Sequence, residues 1–206
     1  MIPPFFFVVV FFRRMMYGNI DILNDCVTAL LIKVASRKYM FSDALEYAEN
    51  FLVEHVKPED VCDLLDLHVK LNEPDIDISV LNALRSIDAE LAIAEPRFLS
   101  CEWASVYIVA KNIRNVNELS LITRIYHWCC ENEVYDDEHS SLRALFWSFF
   151  SQMRVLSLTL EEVLNGPCRW GVFSAEEQIE VLSAIADKAN VVPDFINPCR
   201  QSRYEY

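Results

Sequence analysis

Apolar residues recur along most of the chain at the three- and four-residue spacing that gives a helix one buried face. Four such stripes are Val27, Leu30, Leu31, Val34 and Ala35; Ala44, Leu45, Ala48, Phe51 and Leu52; Val61, Leu64, Leu65, His68 and Val69; and Ile122, Ile125, Tyr126, Cys129 and Cys130. A longer stripe, Ile76, Val80, Ala83, Leu84, Ile87 and Leu91, predicts one helix between Pro74 and Pro96. The stripe of Leu142, Leu145, Phe146, Phe149 and Phe150 is bulky and aromatic, and it predicts the most deeply buried helix of the C-terminal half.

Residues that start helices stand between these stripes. Thr159 with Glu162, and Ser174 with Glu177, have the spacing of a capping box, in which hydroxyl and carboxylate satisfy free amides of the first turn. The other predicted start signals are N-caps at Ser42, Ser100 and Asn117, and Pro58 in a first turn. From residue 190 the pattern fades, and we expect a tail with two prolines.

The chain has only three glycines, too few for the repeated tight turns of a large sheet. One stretch, residues 18–22, alternates apolar and polar side chains as a short strand would. We therefore predict an all-α fold, an antiparallel array of helix pairs with at most one short strand. Glycines at 18, 166 and 171 also cannot supply either common phosphate-binding loop, which excludes the usual nucleotide-binding frameworks.

The net charge changes which partners we expect. Lys and Arg number 18 against 31 Asp and Glu, so the chain carries a charge of −13. Such a chain is repelled by phosphate backbones, and nucleic acid is therefore not an expected partner.

The cysteines and histidines form no recognisable reactive set. Seven cysteines are irregularly spaced, and Cys26, Cys62 and Cys129 fall on predicted apolar faces, which is typical of free thiols in a reducing compartment. The best metal candidate is His127 with Cys129 and Cys130, but successive helical residues diverge by ~100°. We expect no metal site there.

The acidic pairs do not indicate catalysis either. Glu161–Glu162 and Glu176–Glu177 stand in predicted first turns, where carboxylates stabilise the positive end of the helix dipole. His68 lies on an apolar stripe, where a neutral core histidine is the simpler interpretation. We therefore predict no catalytic residue, no cofactor and no enzymatic activity.

The N-terminal residues 5–12 are an unbroken apolar run. Eight residues are far fewer than the ~20 needed to cross a bilayer. Basic residues follow the run instead of preceding it, which is unlike a secretory signal. We expect no membrane span. Membrane association through this run stays open as a third hypothesis, beside the two protein-binding hypotheses given below.

Several segments, taken in order, resemble BTB (POZ) and BACK domains. FRRMMYGNIDI at residues 12–22 is similar to a helix end and turn of BTB domains, and VTALLIKVASRKYMFSDALEYAENFL at residues 27–52 resembles their two closing helices. Residues 59–65 resemble the entry to a BACK domain, and MRVLSLTLEEVLNGP at residues 153–167 is most like BTB-BACK proteins of the subgroup with a C-terminal PHR domain. The resemblance implies a partial BTB domain at residues 1–57, a BACK domain at 58–165, and a last helix and tail at 166–206, with no PHR domain.

What the resemblance implies for function is a non-catalytic adaptor. Proteins of this family bring substrates to cullin-3 ubiquitin ligases, so the expected partners are cullin-3, other BTB proteins and a substrate protein, in the cytoplasm or nucleus. The candidate partner-binding residues are Tyr17, Met40, Phe41, Asp43 and Leu65. Because the BTB part is incomplete, a second hypothesis is a helical scaffold or dominant-negative partner that does not bind cullin-3.

Overall fold

The computed structural model describes residues 23–133, 141–187 and 192–204, and all regular structure within them is helical. The all-α prediction is confirmed there, whereas the strand candidate at residues 18–22 lies outside the described residues. The helices are α1 Cys26–Tyr39, α2 Ser42–His55, α3 Val61–Leu71, α4 Ile78–Ala83, α5 Leu91–Ala94, α6 Trp103–Asn112, α7 Glu118–Glu131, α8 Ser141–Phe150, α9 Leu160–Asn165 and α10 Ala175–Ala186. Short 3₁₀ turns stand at Pro58–Asp60, Pro96–Ser100, Val155–Ser157 and Pro167–Arg169.

The chain divides into two compact units, Met1–Ala83 and Leu84–Tyr206. The first contains α1 to α4 and the second contains α5 to α10. These two units are regions in which the chain is compact, and compactness does not define family domains. The family-domain bounds at 1–57, 58–165 and 166–206 stay a prediction.

In the first unit, α1 turns a different face to the core than its apolar stripe predicts. The buried residues of α1 are Cys26, Ala29, Leu30, Ile32, Lys33 and Ser36, while Val27, Leu31, Val34 and Ala35 are half-buried. The physical reason is an ion-pair cluster, since the Lys33 ammonium lies 3.1 Å from a carboxylate oxygen of Glu49 and 2.9 Å from one of Asp77. A charge that is neutralised in this way can be buried where the sequence pattern predicts a surface residue.

The other two long helices of this unit follow their stripes more closely. On α2, Ala44, Ala48 and Leu52 are buried, although Phe41 and not Ser42 is the N-cap. Pro58 begins the 3₁₀ turn before α3, as predicted. Val61, Leu64 and Leu65 are then fully buried on α3.

The prediction of a single helix between Pro74 and Pro96 is wrong. α4 ends at residue 83 and α5 begins at residue 91, and between them Ile87 is 85% exposed. Carbonyls at the break accept hydrogen bonds from a later loop, because the Asn115 amide donates to Arg85 and Ser86 at 2.9 and 3.0 Å. These bonds satisfy the backbone where the helix stops.

In the second unit, most of the predicted helix starts are confirmed. The side chain of Asn117 accepts a bond from a first-turn amide of α7, and both capping boxes form at the starts of α9 and α10. The exception is Ser100, whose hydroxyl donates to the Arg97 carbonyl within a 3₁₀ turn. The residue before α6 is Glu102, and its side chain forms no capping bond.

The core of the second unit is aromatic. Phe146, Phe149 and Phe150 of α8 are buried as predicted, while Leu142 and Leu145 are half-buried. The expected C-terminal tail is instead packed, since Ile196 is 4% and Arg203 only 1% exposed.

Candidate protein-interaction surface

The turn between α1 and α2 presents three consecutive large apolar side chains to solvent. Tyr39, Met40 and Phe41 are 47%, 90% and 42% exposed. We call them the apolar turn. A continuous exposed patch of this kind on a folded chain marks an interaction site more often than scattered apolar residues do.

The backbone of the apolar turn is fixed and locally strained. The Ser36 carbonyl accepts bonds from the amides of both Met40 and Phe41, the second at 2.9 Å. Met40 has a φ of 59°, in the left-handed region. Among the described residues the other non-glycine positions with positive φ are Asn72 and Asn115, and asparagine tolerates this region much better than methionine does. A methionine therefore stands where its backbone preference is poor and its side chain is almost wholly exposed.

Charged side chains surround the apolar turn. Arg37 and Lys38 lie in the last turn of α1, and Asp43 lies in the first turn of α2, where its carboxylate suits the helix dipole. The Arg37 guanidinium lies 3.2 Å from a carboxylate oxygen of Glu73. An apolar centre with a polar rim is the usual composition of a protein-binding surface.

The predicted site residues are only partly brought together. Met40, Phe41 and Asp43 lie within four positions of one another and are exposed. Leu65 has no exposed surface in the middle of α3, so its side chain is inaccessible to a partner in this structure. Tyr17 lies outside the described residues. Tyr39 was missed, and the signal available for it was the apolar run Tyr39-Met40-Phe41 at a junction between two amphipathic helices.

A cleft of about 530 Å³ also lies in the first unit, between α1, α3 and residues 73–78. Four of the charged residues that line it form ion pairs, because Lys33 contacts Asp77 and Arg37 contacts Glu73. Leu65 lies beside this cleft, although its side chain has no exposed surface. Paired charges of this kind explain the local structure without a catalytic role.

Nothing in the described part of the chain forms a reactive cluster. Burial raises the pKa of the Cys26 thiol to about 11 and that of Cys129 to about 12. These thiols stay protonated, and poorly nucleophilic, at neutral pH. No group of three or more histidine, cysteine or acidic side chains that could hold a metal ion occurs in residues 23–133, 141–187 or 192–204. His55 stacks on Phe51 at a centroid distance of 4.1 Å.

None of the helices in these described ranges is long and apolar enough to cross a bilayer.

The described residues therefore form a helical fold in which the most exposed large apolar side chain, that of Met40, lies in a turn suited to protein contact. Comparison with known proteins finds a similarity to BTB/POZ domain-containing protein 6-B of Danio rerio, with 24% identity over 173 residues. The match covers 82% of this chain and 35% of that protein, so the chain spans about a third of its relative's length. No protein-family model and no solved structure matches. The similarity supports a BTB-like relationship, whereas the BACK domain and the PHR subgroup stay predictions.

Proposed function

We propose that this chain is a non-catalytic adaptor that binds another protein through the apolar turn. The observation that supports this most directly is the 90% exposure of Met40 in a left-handed backbone conformation. Strained residues with exposed apolar side chains persist where function requires them, because neither property stabilises the isolated chain.

The flanking aromatic side chains suit the same role. Aromatic residues and methionine are enriched at the centres of protein interfaces, and a few such residues commonly supply most of the binding energy. Tyr39 and Phe41 retain 47% and 42% of their surface for a partner to cover.

The resemblance to BTB-BACK proteins gives the finer proposal. On this proposal the chain acts as an adaptor of a cullin-3 ubiquitin ligase, with cullin-3, another BTB protein or a substrate protein on the apolar turn. The relative of this chain is a BTB/POZ domain-containing protein, which supports a role in protein–protein interaction in general.

The experiment is co-purification of cullin-3 from cells with the full chain and with a double variant, Met40→Asn with Phe41→Ser. Both changes suit the local backbone, since asparagine tolerates positive φ and serine is a good N-cap. We expect the variant to be at least as stable as the parent chain and to retain at least tenfold less cullin-3, which corresponds to about 1.4 kcal/mol.

Val53→Asn on α2 is the matched control, because Val53 is 65% exposed on the same helix and lies outside the turn. The control should retain cullin-3 as the parent does. Equal retention by the turn variant and the parent would contradict a role for the turn.

A second candidate is a helical scaffold without cullin-3 binding. α2 packs chiefly on α1, which leaves the apolar turn of this hairpin exposed. Turn-dependent retention of other proteins, with no cullin-3 among them, would favour this second function.

A further inference from the structure

Among the described residues of the second unit, Arg203 is the most deeply buried charged side chain, and it lies near the C-terminal end of the described chain. It is 1% exposed, and each of its three guanidinium nitrogens donates a hydrogen bond. Nε donates to the Glu118 carboxylate at 2.6 Å, Nη1 to the Ile113 carbonyl at 2.9 Å and Nη2 to the Gln152 carbonyl at 2.8 Å. The planar guanidinium is thus satisfied by one charged and two neutral acceptors.

These three acceptors are held in place by separate elements. Ile113 follows the last residue of α6, Glu118 is the first residue of α7, and Gln152 follows α8. Glu118 is 5% exposed, and its second carboxylate oxygen accepts the Arg154 amide at 2.7 Å. We call this arrangement the guanidinium socket. Its fork-like geometry matches arginine and not the compact ammonium of lysine.

Residues 192–204, which we call the strap, have no helix or strand of their own. Their carbonyls accept bonds from the Arg154 guanidinium, at 3.3 Å to Gln201 and to Ser202, and from the Asn115 backbone amide, at 3.2 Å to Arg203, and side-chain anchors of the strap add to these. The Phe195 ring lies 5.2 Å from that of Trp147, and the Asn197 amide donates to the Ser151 carbonyl at 2.8 Å. Arg200 donates to the Ala184 carbonyl at 3.0 Å. Arg203 is the anchor that is most completely removed from water, so it should dominate the closure of the strap.

We propose that the socket is a guanidinium-binding site in which Arg203 is an internal ligand, and that the strap is a latch that opens when the site is emptied. Emptying it removes the guanidinium from the Gln152 carbonyl and from the buried Glu118 carboxylate, whose other oxygen still accepts the Arg154 amide. The Ile113 carbonyl keeps a bond from the Arg114 guanidinium at 2.9 Å. The emptied site favours refilling by the same chemical group, because a buried carboxylate without its cation is costly. The ligand class is therefore a guanidinium cation.

The test uses the full chain with Arg203→Ala. Hydrogen exchange of residues 192–204 should accelerate by more than about tenfold, because a charged, buried anchor is lost. Ethylguanidinium, added below denaturing concentration, should slow this exchange again, and ethylammonium should not. Equal effects of the two cations, or unchanged exchange in the variant, would overturn the proposal.

Two further variants complete the test. Arg200→Ala removes a strap anchor that bonds one carbonyl, and ethylguanidinium should give it no selective protection. Arg203→Lys retains the charge and serves if the alanine variant does not fold. Its strap should exchange faster than the parent's, whereas parental exchange would contradict a fork-shaped socket.

Discussion

Replacing Phe146 by alanine perturbs the aromatic core of the second unit most directly. Phe146 has no exposed surface, and its ring centroid lies 6.3 Å from Tyr126, 6.2 Å from Trp170 and 6.3 Å from Phe150. The rings of Tyr126 and Trp170 stack on each other at a centroid distance of 4.4 Å. This stacking holds both rings in place, so they should not move into the space that the substitution leaves. A cavity that cannot collapse places the loss toward the upper part of the usual range of ~3–5 kcal/mol, and we expect about 4 kcal/mol.

The assay is urea unfolding followed by tryptophan fluorescence. All four tryptophans lie in the second unit, so the signal reports that unit alone. With a slope of about 2 kcal/mol per molar urea, Phe146→Ala should lower the midpoint by roughly 2 M. Leu145→Ala is the matched control on α8, and its half-buried side chain should give a loss of only about 1 kcal/mol. Coincident midpoints for the two variants would refute the assignment of Phe146 to the core.

The remaining predictions concern a cap, a buried ion pair and a titrating carboxylate. Thr159→Ala should destabilise the second unit by ~1 kcal/mol in the same assay, while a serine there should retain the cap; equal loss in both would argue against capping. Lys33→Met should destabilise the first unit by roughly 3 kcal/mol, because the Asp77 side chain is 5% exposed and loses its cation. Thermal unfolding monitored by circular dichroism measures this loss, and an unchanged melting curve would contradict it. The hydrogen bond from Arg143 lowers the pKa of Glu177 below its ordinary 4.5. Glu177 therefore contributes stability above that value and loses it as the pH falls through the lowered pKa, so Glu177→Gln should destabilise the chain at pH 7 and converge with the parent in acid; a constant difference would refute this sign.

The features that the sequence predicts well are those encoded locally. The capping boxes at Thr159 and Ser174 depend on groups three positions apart, and the stripe of α8 depends on spacing within ten residues. Such patterns need no knowledge of the tertiary structure.

The features that the sequence does not reveal depend on distant partners. The buried face of α1 follows from Lys33 meeting Glu49 and Asp77, and neither pairing has a sequence signature. The break after α4 depends on Asn115, and the closed strap depends on Arg203 meeting Glu118 across 85 residues. In each case a polar contact decides the structure where apolar spacing predicts otherwise.

The candidate surface shows the same division. Met40, Phe41 and Asp43 are candidate partner-binding residues from the sequence, and all three are exposed at one turn. Leu65 belongs to an apolar stripe and is buried, as its spacing on α3 indicates. The left-handed backbone of Met40 has no signature in the sequence, because methionine is not a residue that favours it.

Site-specific photo-crosslinking in cells tests the adaptor proposal most directly. A photoreactive phenylalanine analogue replaces Phe41 in the apolar turn, and in a second chain it replaces Val53, which is exposed on α2. We expect a discrete protein adduct, with cullin-3 as the expected partner, from position 41 and not from position 53. Adducts of equal yield and identity from the two positions, or none from position 41, would contradict it.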